Sequence, residues 1–219
     1  ILDTIYEEVG SFRLLSHMET GIDITFQRDI HVNKWCCENK IIWDEYQHQA
    51  VQRGRKNRKD WTEKWDDFMY ASIDKIELTN LNSFEIPEEI AKAFNPQLEI
   101  FSEHVDMQKG GRTLGIRYLN SFLEHRNQKY GRHISKPAES RTSCSRLSPY
   151  LAWGALSIRE VVQATVIQMQ KLKYKRNLAN FKSRLHWHCH FIQKLESEPE
   201  IEFKNSNNSY SSIKRIYNC

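Results

Sequence analysis

The residues best equipped for chemistry lie between Tyr130 and Ser148, where Ser143, Ser145, Arg146 and Ser148 bring hydroxyls and a guanidinium to the start of a helix. Hydroxyl and backbone N–H donors beside a fixed cation suit a diphosphate. Ser148 is expected as the N-cap and Pro149 as the first helical residue, which leaves the opening N–H groups free to meet an anion at the positive end of the helix dipole. The same residues also describe an ordinary capped helix, because a Ser-Pro start needs no ligand.

Two further clusters invite a functional reading. His186, His188, Cys189 and His190 are of zinc-ligand type, but residues two apart on a helix point to opposite sides. His186 and His190 therefore share a face without His188, too few ligands for a closed site. His188 instead falls in an apolar stripe, where a histidine is expected to hydrogen-bond a core carbonyl or a ligand. Upstream, Arg53, Arg55, Lys56, Arg58 and Lys59 precede Trp61 and Trp65. This mixture could grip phosphates and stack on bases, or form a solvated basic loop at a domain edge.

The elements that must position these residues follow from periodicity. Ile1, Leu2, Ile5 and Val9 have helical spacing, ended by Gly10 at the C′ position. Phe12 to Ser16 reads as a strand, Phe26 to Glu38 as a helix and Ile41 to Tyr46 as a second strand, the signature of an α/β unit with a parallel sheet. From Val51 the pattern dissolves into a linker-like stretch containing Pro87 and Pro96. Beyond residue 105 every strong pattern is helical. Gly115, Tyr118, Leu119 and Phe122 share a face, and Ser157 to Glu160 forms a capping box. A helix follows with Ile158, Val161, Val162, Thr165, Val166, Met169 and Leu172 as core. A last helix over 177–196 carries Leu178, Phe181, Leu185, His188, Ile192 and Leu195. The Asn- and Ser-rich stretch over 205–212 suits a flexible terminus. The expected fold is thus α/β plus all-α, with a partial α/β domain over 1–56, a linker over 57–105 and a partial helical domain over 106–219.

Composition narrows the class. The 219 residues are 39% hydrophobic, enough to fill a core, and 32 Lys and Arg against 28 Asp and Glu leave a net charge of +4. Such a balance gives only a mild bias toward anionic partners. With a mean hydropathy of −0.69 and no long uncharged apolar run, no membrane span is expected. Five cysteines, odd in number and without Cys-x-x-Cys spacing, argue against a disulfide scaffold and for a reducing intracellular compartment, the cytoplasm in a bacterium. Ile1 is not an initiator Met and already lies in a helical pattern, so a fragment is expected.

The run Ser145-Arg146-Leu147-Ser148-Pro149-Tyr150-Leu151-Ala152-Trp153-Gly154-Ala155-Leu156-Ser157 closely resembles the flavin-loop motif of the photolyase and cryptochrome family. Ser16-His17-Met18-Glu19-Thr20-Gly21, Gln27-Arg28-Asp29 and Trp35-Cys36 resemble the end of that family's antenna domain, and Arg55 to Trp61 its following segment, in the family's order. The resemblance covers most of residues 5–203. It implies the end of a Rossmann-like antenna domain, a long linker and the start of a helical FAD-binding domain in a monomeric protein.

Carried over residue by residue, the resemblance implies that Tyr130 contacts the FAD phosphates and that Cys144, Ser145, Arg146, Leu147 and Ser148 form the flavin loop, Cys144 standing where the family has threonine. The family's Trp-Arg-Glu-Phe helix looks like Trp187-His188-Cys189-His190, so His188 replaces a flavin-contacting arginine. Trp187 and Arg184 are implied as the lesion-facing pair on DNA containing pyrimidine dimers. Arg184 stands where repair enzymes of the commonest class carry a carboxylate. The implied activity is light-driven repair of pyrimidine photolesions by electron transfer, with a folate or deazaflavin antenna pigment in the complete protein. The alternatives are a photoreceptor of cryptochrome type and an inactive truncated remnant.

Overall fold

The computed structural model describes residues 1–74, 86, 88–94 and 107–213. Helix α1 (Leu2–Val9) ends at Gly10, whose φ of 75° is the positive value that a glycine C-cap accepts at little cost. Strand β1 (Arg13–His17), helix α2 (Asp23–Glu38) and strand β2 (Ile42–Tyr46) complete a βαβ unit. The two strands pair in parallel, in register from Arg13 opposite Ile42 to His17 opposite Tyr46. The α/β expectation therefore holds for this part, with α2 starting three residues earlier than its apolar pattern suggests.

The basic stretch after β2 is stitched into the protein. Arg53 bridges Glu45 (3.0 Å), the buried Asp29 (3.3 Å) and the Glu19 carbonyl (3.0 Å). Arg55 hydrogen-bonds the Gln52 side chain and the Lys59 carbonyl, and Arg58 meets the His190 ring at 3.0 Å. Three of the five cations are thus occupied internally. The indoles are buried as well. Helix α3 (Trp61–Tyr70) places Trp61, Trp65 and Met69 in the core at steps of four, so they are not free to stack on bases. That stripe was hidden in the sequence by charged residues between the indoles. Pro87 and Pro96 lie outside the described residues, and helix α4 (Glu88–Phe94) is a short piece between them.

The helical body comprises α5 (Arg112–Glu124), a 3-10 turn (Arg126–Lys129), α6 (Tyr130–His133), α7 (Pro137–Ser143), α8 (Ser148–Ala152), α9 (Ile158–Lys171) and α10 (Arg176–Ser197). The capping box of α9 forms as expected, the Ser157 hydroxyl accepting from the Arg159 N–H and Glu160 from the Ser157 N–H. Gln163 donates to the Met69 and Ala71 carbonyls, tying α9 to the end of α3. The stretch after α10 forms short 3-10 turns at Pro199–Glu202 and Asn208–Tyr210. Among the described residues no helix is long and apolar enough to cross a membrane, and Cys36, Cys37, Cys144 and Cys189 are free thiols.

Helix α10 departs from its sequence pattern. Its buried residues are Leu178, Phe181, Leu185, Cys189 and Gln193, whereas His188 is exposed. Steps of four advance 400° around the helix, so the buried row drifts past His188 as α10 crosses the core obliquely. The drift ends at Gln193, which is fully buried. Its amide accepts from the Gln52 N–H (2.7 Å) and donates to the Gln52 carbonyl (3.1 Å), as a sheet partner would. Replacing Gln193 by Leu is expected to lower stability by about 1–3 kcal/mol in a denaturant titration, because it leaves both Gln52 backbone groups unpaired. Gln193→Glu, which keeps only the acceptor, is expected to lose stability as well.

Candidate cofactor site

Tyr130, Cys144, Ser145, Arg146, Leu147, Ser148, Arg184 and His188 all line one cavity of about 730 Å³ between the 144–152 segment, α6 and α10. Its floor is the outer surface of the core. Phe181 and Leu185 both line the cavity and belong to the buried cluster, and Leu147 is 1% exposed. The wall carries three guanidiniums, those of Arg141, Arg146 and Arg184, and no carboxylate among the described residues. Such a site attracts anions. Trp187 does not line the cavity. It stands beside it on α10, half-exposed, with the Arg184 guanidinium 4.4 Å from its ring centroid and Phe191 edge-on at 6.0 Å.

The loop is held by a residue that no sequence motif singled out. Arg126 donates to the Cys144 carbonyl, to the Ser145 carbonyl (3.2 Å), to the Tyr118 carbonyl (2.7 Å) and to the Ser121 hydroxyl (3.1 Å), with its guanidinium near the Tyr118 and Phe122 rings. A trans peptide points its C=O and N–H in opposite directions. With the carbonyls of residues 144 and 145 drawn to Arg126, the N–H groups of Ser145 and Arg146 point away from it. Burial lowers the pKa of Arg126 despite these acceptors. Nothing in the sequence sets it apart from the neighbouring cations Lys129 and Arg132.

A second clasp sets the next residue. Arg146 has a left-handed backbone with φ of 58°, a conformation that costs a non-glycine residue free energy. Gln108 compensates by donating to the Arg146 carbonyl (2.8 Å) and accepting from its Nε (3.1 Å). The Tyr150 hydroxyl donates to the Lys109 carbonyl at 2.7 Å, fastening the far side. This reversal moves the helix start by one residue. Leu147 occupies the N-cap position and Ser148 is the first helical residue, with no side-chain cap, so the expected Ser148 cap with Pro149 at the first position is corrected. The Ser148 hydroxyl is thereby free of a capping bond, and the residue lines the cavity.

Burial sets the protonation of the wall. Desolvation first, then the neighbouring Cys144, push the Tyr130 phenol up to about 12, so it stays a proton donor at neutral pH. Desolvation also raises the Cys144 thiol. The His188 ring is reached by solvent yet crowded by the cavity walls, and this loss of water lowers its pKa below 6.5. His186 and His190 turn to the other flank and pack on Trp61 at 4.8 and 5.4 Å. Among the described residues no three His, Cys, Asp or Glu side chains are grouped to hold a metal.

Two outcomes follow from this geometry. Arg126→Met is expected to destabilise the protein by about 2–3 kcal/mol, measured by thermal melting, since it takes the Arg126 donor from the two loop carbonyls of Cys144 and Ser145. His48, His186, His188 and His190 all have lowered pKa values, chiefly through desolvation. The unfolded chain therefore binds more protons than the folded one as pH falls through about 6.5, and stability rises with pH in that window. A denaturant midpoint that falls between about pH 7.5 and pH 5.5 is the expected result; an unchanged or rising midpoint contradicts it.

No protein-family profile matches the chain, and no curated protein matches it. Among solved structures, a bacterial class III photolyase from Agrobacterium tumefaciens is similar with a TM-score of 0.70 at 17% identity, over 97% of this chain and 46% of that one. A cryptochrome from Synechocystis is similar with a TM-score of 0.60 at 17% identity, over 93% of this chain and 45% of that one. The chain thus spans under half the length of these structures. Over the part it covers, its fold is that of the photolyases and cryptochromes.

Proposed function

We propose that this chain is part of a FAD-dependent, blue-light-driven photolyase-like protein, and that the cavity beside the 144–148 loop receives the diphosphate of the dinucleotide. The observation that carries this reading is that all seven residues assigned to FAD by the motif resemblance line one cavity whose charged side chains, among the described residues, are guanidiniums. The residues fit the group. Arg146 and the hydroxyls of Ser145 and Ser148 offer donors to phosphate oxygens, and Tyr130 adds a phenol that stays protonated. Leu147 closes the floor, and Cys144, whose carbonyl Arg126 binds, fixes the start of the loop. His188 contributes a neutral imidazole in place of a permanent cation.

Bound FAD supplies photoexcited one-electron chemistry. The chain's own residues would bind and orient it, and among the described residues no carboxylate lines the wall to repel its phosphates. On this reading Arg184 and Trp187 meet DNA containing pyrimidine dimers, Trp187 through its ring face and Arg184 through its charge. A photoreceptor without repair activity is the second reading. Arg184 favours it, because it stands where repair enzymes of the commonest class carry a carboxylate.

The full gene product, reconstituted with FAD and passed through gel filtration, is expected to retain flavin absorbance. Arg146→Ala is expected to weaken FAD binding by about tenfold or more, as loss of a charge-assisted contact does. Retention of no flavin by the wild-type protein overturns the reading. Repair of ultraviolet-irradiated DNA under blue light, scored by lesion type, separates repair from signalling.

A further inference from the structure

A second concavity, of about 580 Å³, opens between the 3-10 turn, α6 and the first turn of α10. It adjoins the cofactor cavity without sharing lining residues. Tyr130 and Phe181 face the first cavity, while their neighbours Lys129, Gly131, Arg132 and Asn180 face the second. Its charged side chains are Lys129, Arg132 and Arg176. Among the described residues none of the three is ion-paired, and no carboxylate lines the cavity. This is not the average surface of a chain with net charge +4. The cavity between α2 and the end of α10 has the opposite sign, its charged residues being Glu19, Asp23, Glu196, Glu200 and Glu202.

The pocket is also constructed. Asn177 accepts from the Gly131 N–H at 3.1 Å and donates to the Gln128 carbonyl at 2.7 Å, keying the first turn of α10 to the opposite wall. Gly131 keeps the floor open, because a Cβ there would lie 3.0 Å from both the Asn177 Oδ1 and the Asn180 Nδ2. The amide of Asn180 and the positive end of the 22-residue α10 add donor character to the three cations. A tetrahedral group with several acceptor oxygens and about two negative charges matches this set.

We propose that this cavity is a phosphate-binding site separate from the cofactor cavity, built by Lys129, Arg132 and Arg176 around Gly131. The phosphate can belong to a nucleic-acid backbone or to a free phosphate, and the test has an arm for each. In the first, inorganic phosphate is titrated with the full gene product and followed by phosphorus NMR line broadening. In the second, a fluorescent single-stranded oligonucleotide is followed by anisotropy across a salt series.

The triple variant K129Q/R132Q/R176Q, confined to exposed side chains, is expected to abolish the line broadening. If the backbone is the source, it also weakens the oligonucleotide about tenfold or more. The slope of log affinity against log salt then shrinks by about 2, as loss of three single-strand phosphate contacts predicts. Line broadening lost with oligonucleotide affinity unchanged assigns the site to free phosphate. Gly131→Ala and Asn180→Asp are expected to weaken binding in the same arm while all three cations remain. Equal line broadening and equal oligonucleotide affinity in wild type and triple variant overturn the proposal. Flavin retention is expected to survive the triple variant, and phosphate binding to survive Arg146→Ala, so this proposal and the cofactor reading fail separately.

Discussion

Arg126 binds backbone rather than a carboxylate, and the shape of the candidate cofactor cavity depends on that choice. Removing a guanidinium from water is costly, and its lowered pKa records the cost. The offset comes from three carbonyls and a hydroxyl gathered from two parts of the chain, Tyr118 and Ser121 on α5 and Cys144 and Ser145 in the loop. A lysine could not replace it, since an ammonium has three donors on a flexible stem and no planar fork. The loop is therefore not an independent surface segment. Its backbone follows α5, and α5 is fixed by Leu119, Phe122 and Leu123 in the core.

Helix α10 extends this dependence to the other wall. Phe181 and Leu185 are at once core residues and cavity lining, so the inner face of the helix and the floor of the site are the same surface. Two residues further round, Arg184 and His188 reach the cavity, and beyond them Trp187 and Phe191 face outward. At its end Gln193 is bonded to Gln52, and Glu196 accepts from the Gly54 N–H at 2.8 Å, so the segment after β2 holds the same helix in place. Displacing α10 would disturb the core, the cavity and the attachment of the βαβ unit together.

What the sequence made legible was local and strongly patterned. The βαβ unit, the capping box at Ser157 and the grouping of Tyr130 with residues 144–148 could be read because each depends on nearby letters or a long motif. Three features could not. The burial of Trp61 and Trp65 depends on α9 and α10 lying over them, which no local period reports. The burial of Cys189 and Gln193 where His188 is exposed follows from a row of buried residues advancing in steps of four and from a hydrogen-bond partner far away in sequence, while Ile192 still packs against the core. The displaced cap at Ser148 accompanies the left-handed Arg146, a conformation that the Gln108 clasp helps to hold.

The arrangement of Arg184 over Trp187 bears on what this flank of α10 can accept. A guanidinium over an exposed indole gains about 0.5–1 kcal/mol, whereas a nucleobase stacked on an aromatic side chain gains about 1–3 kcal/mol. On the proposed reading a nucleobase meeting this face would therefore win the competition for the ring, and Arg184 would be displaced at small cost. The displaced cation would remain beside the cavity it lines, where a phosphate attached to such a base would meet it. A carboxylate at this position would neither cover the indole by cation–π attraction nor attract that phosphate. On that reading a cation rather than a carboxylate at residue 184 would leave the stacking surface available while favouring the backbone of such a ligand over the polar edge of its base.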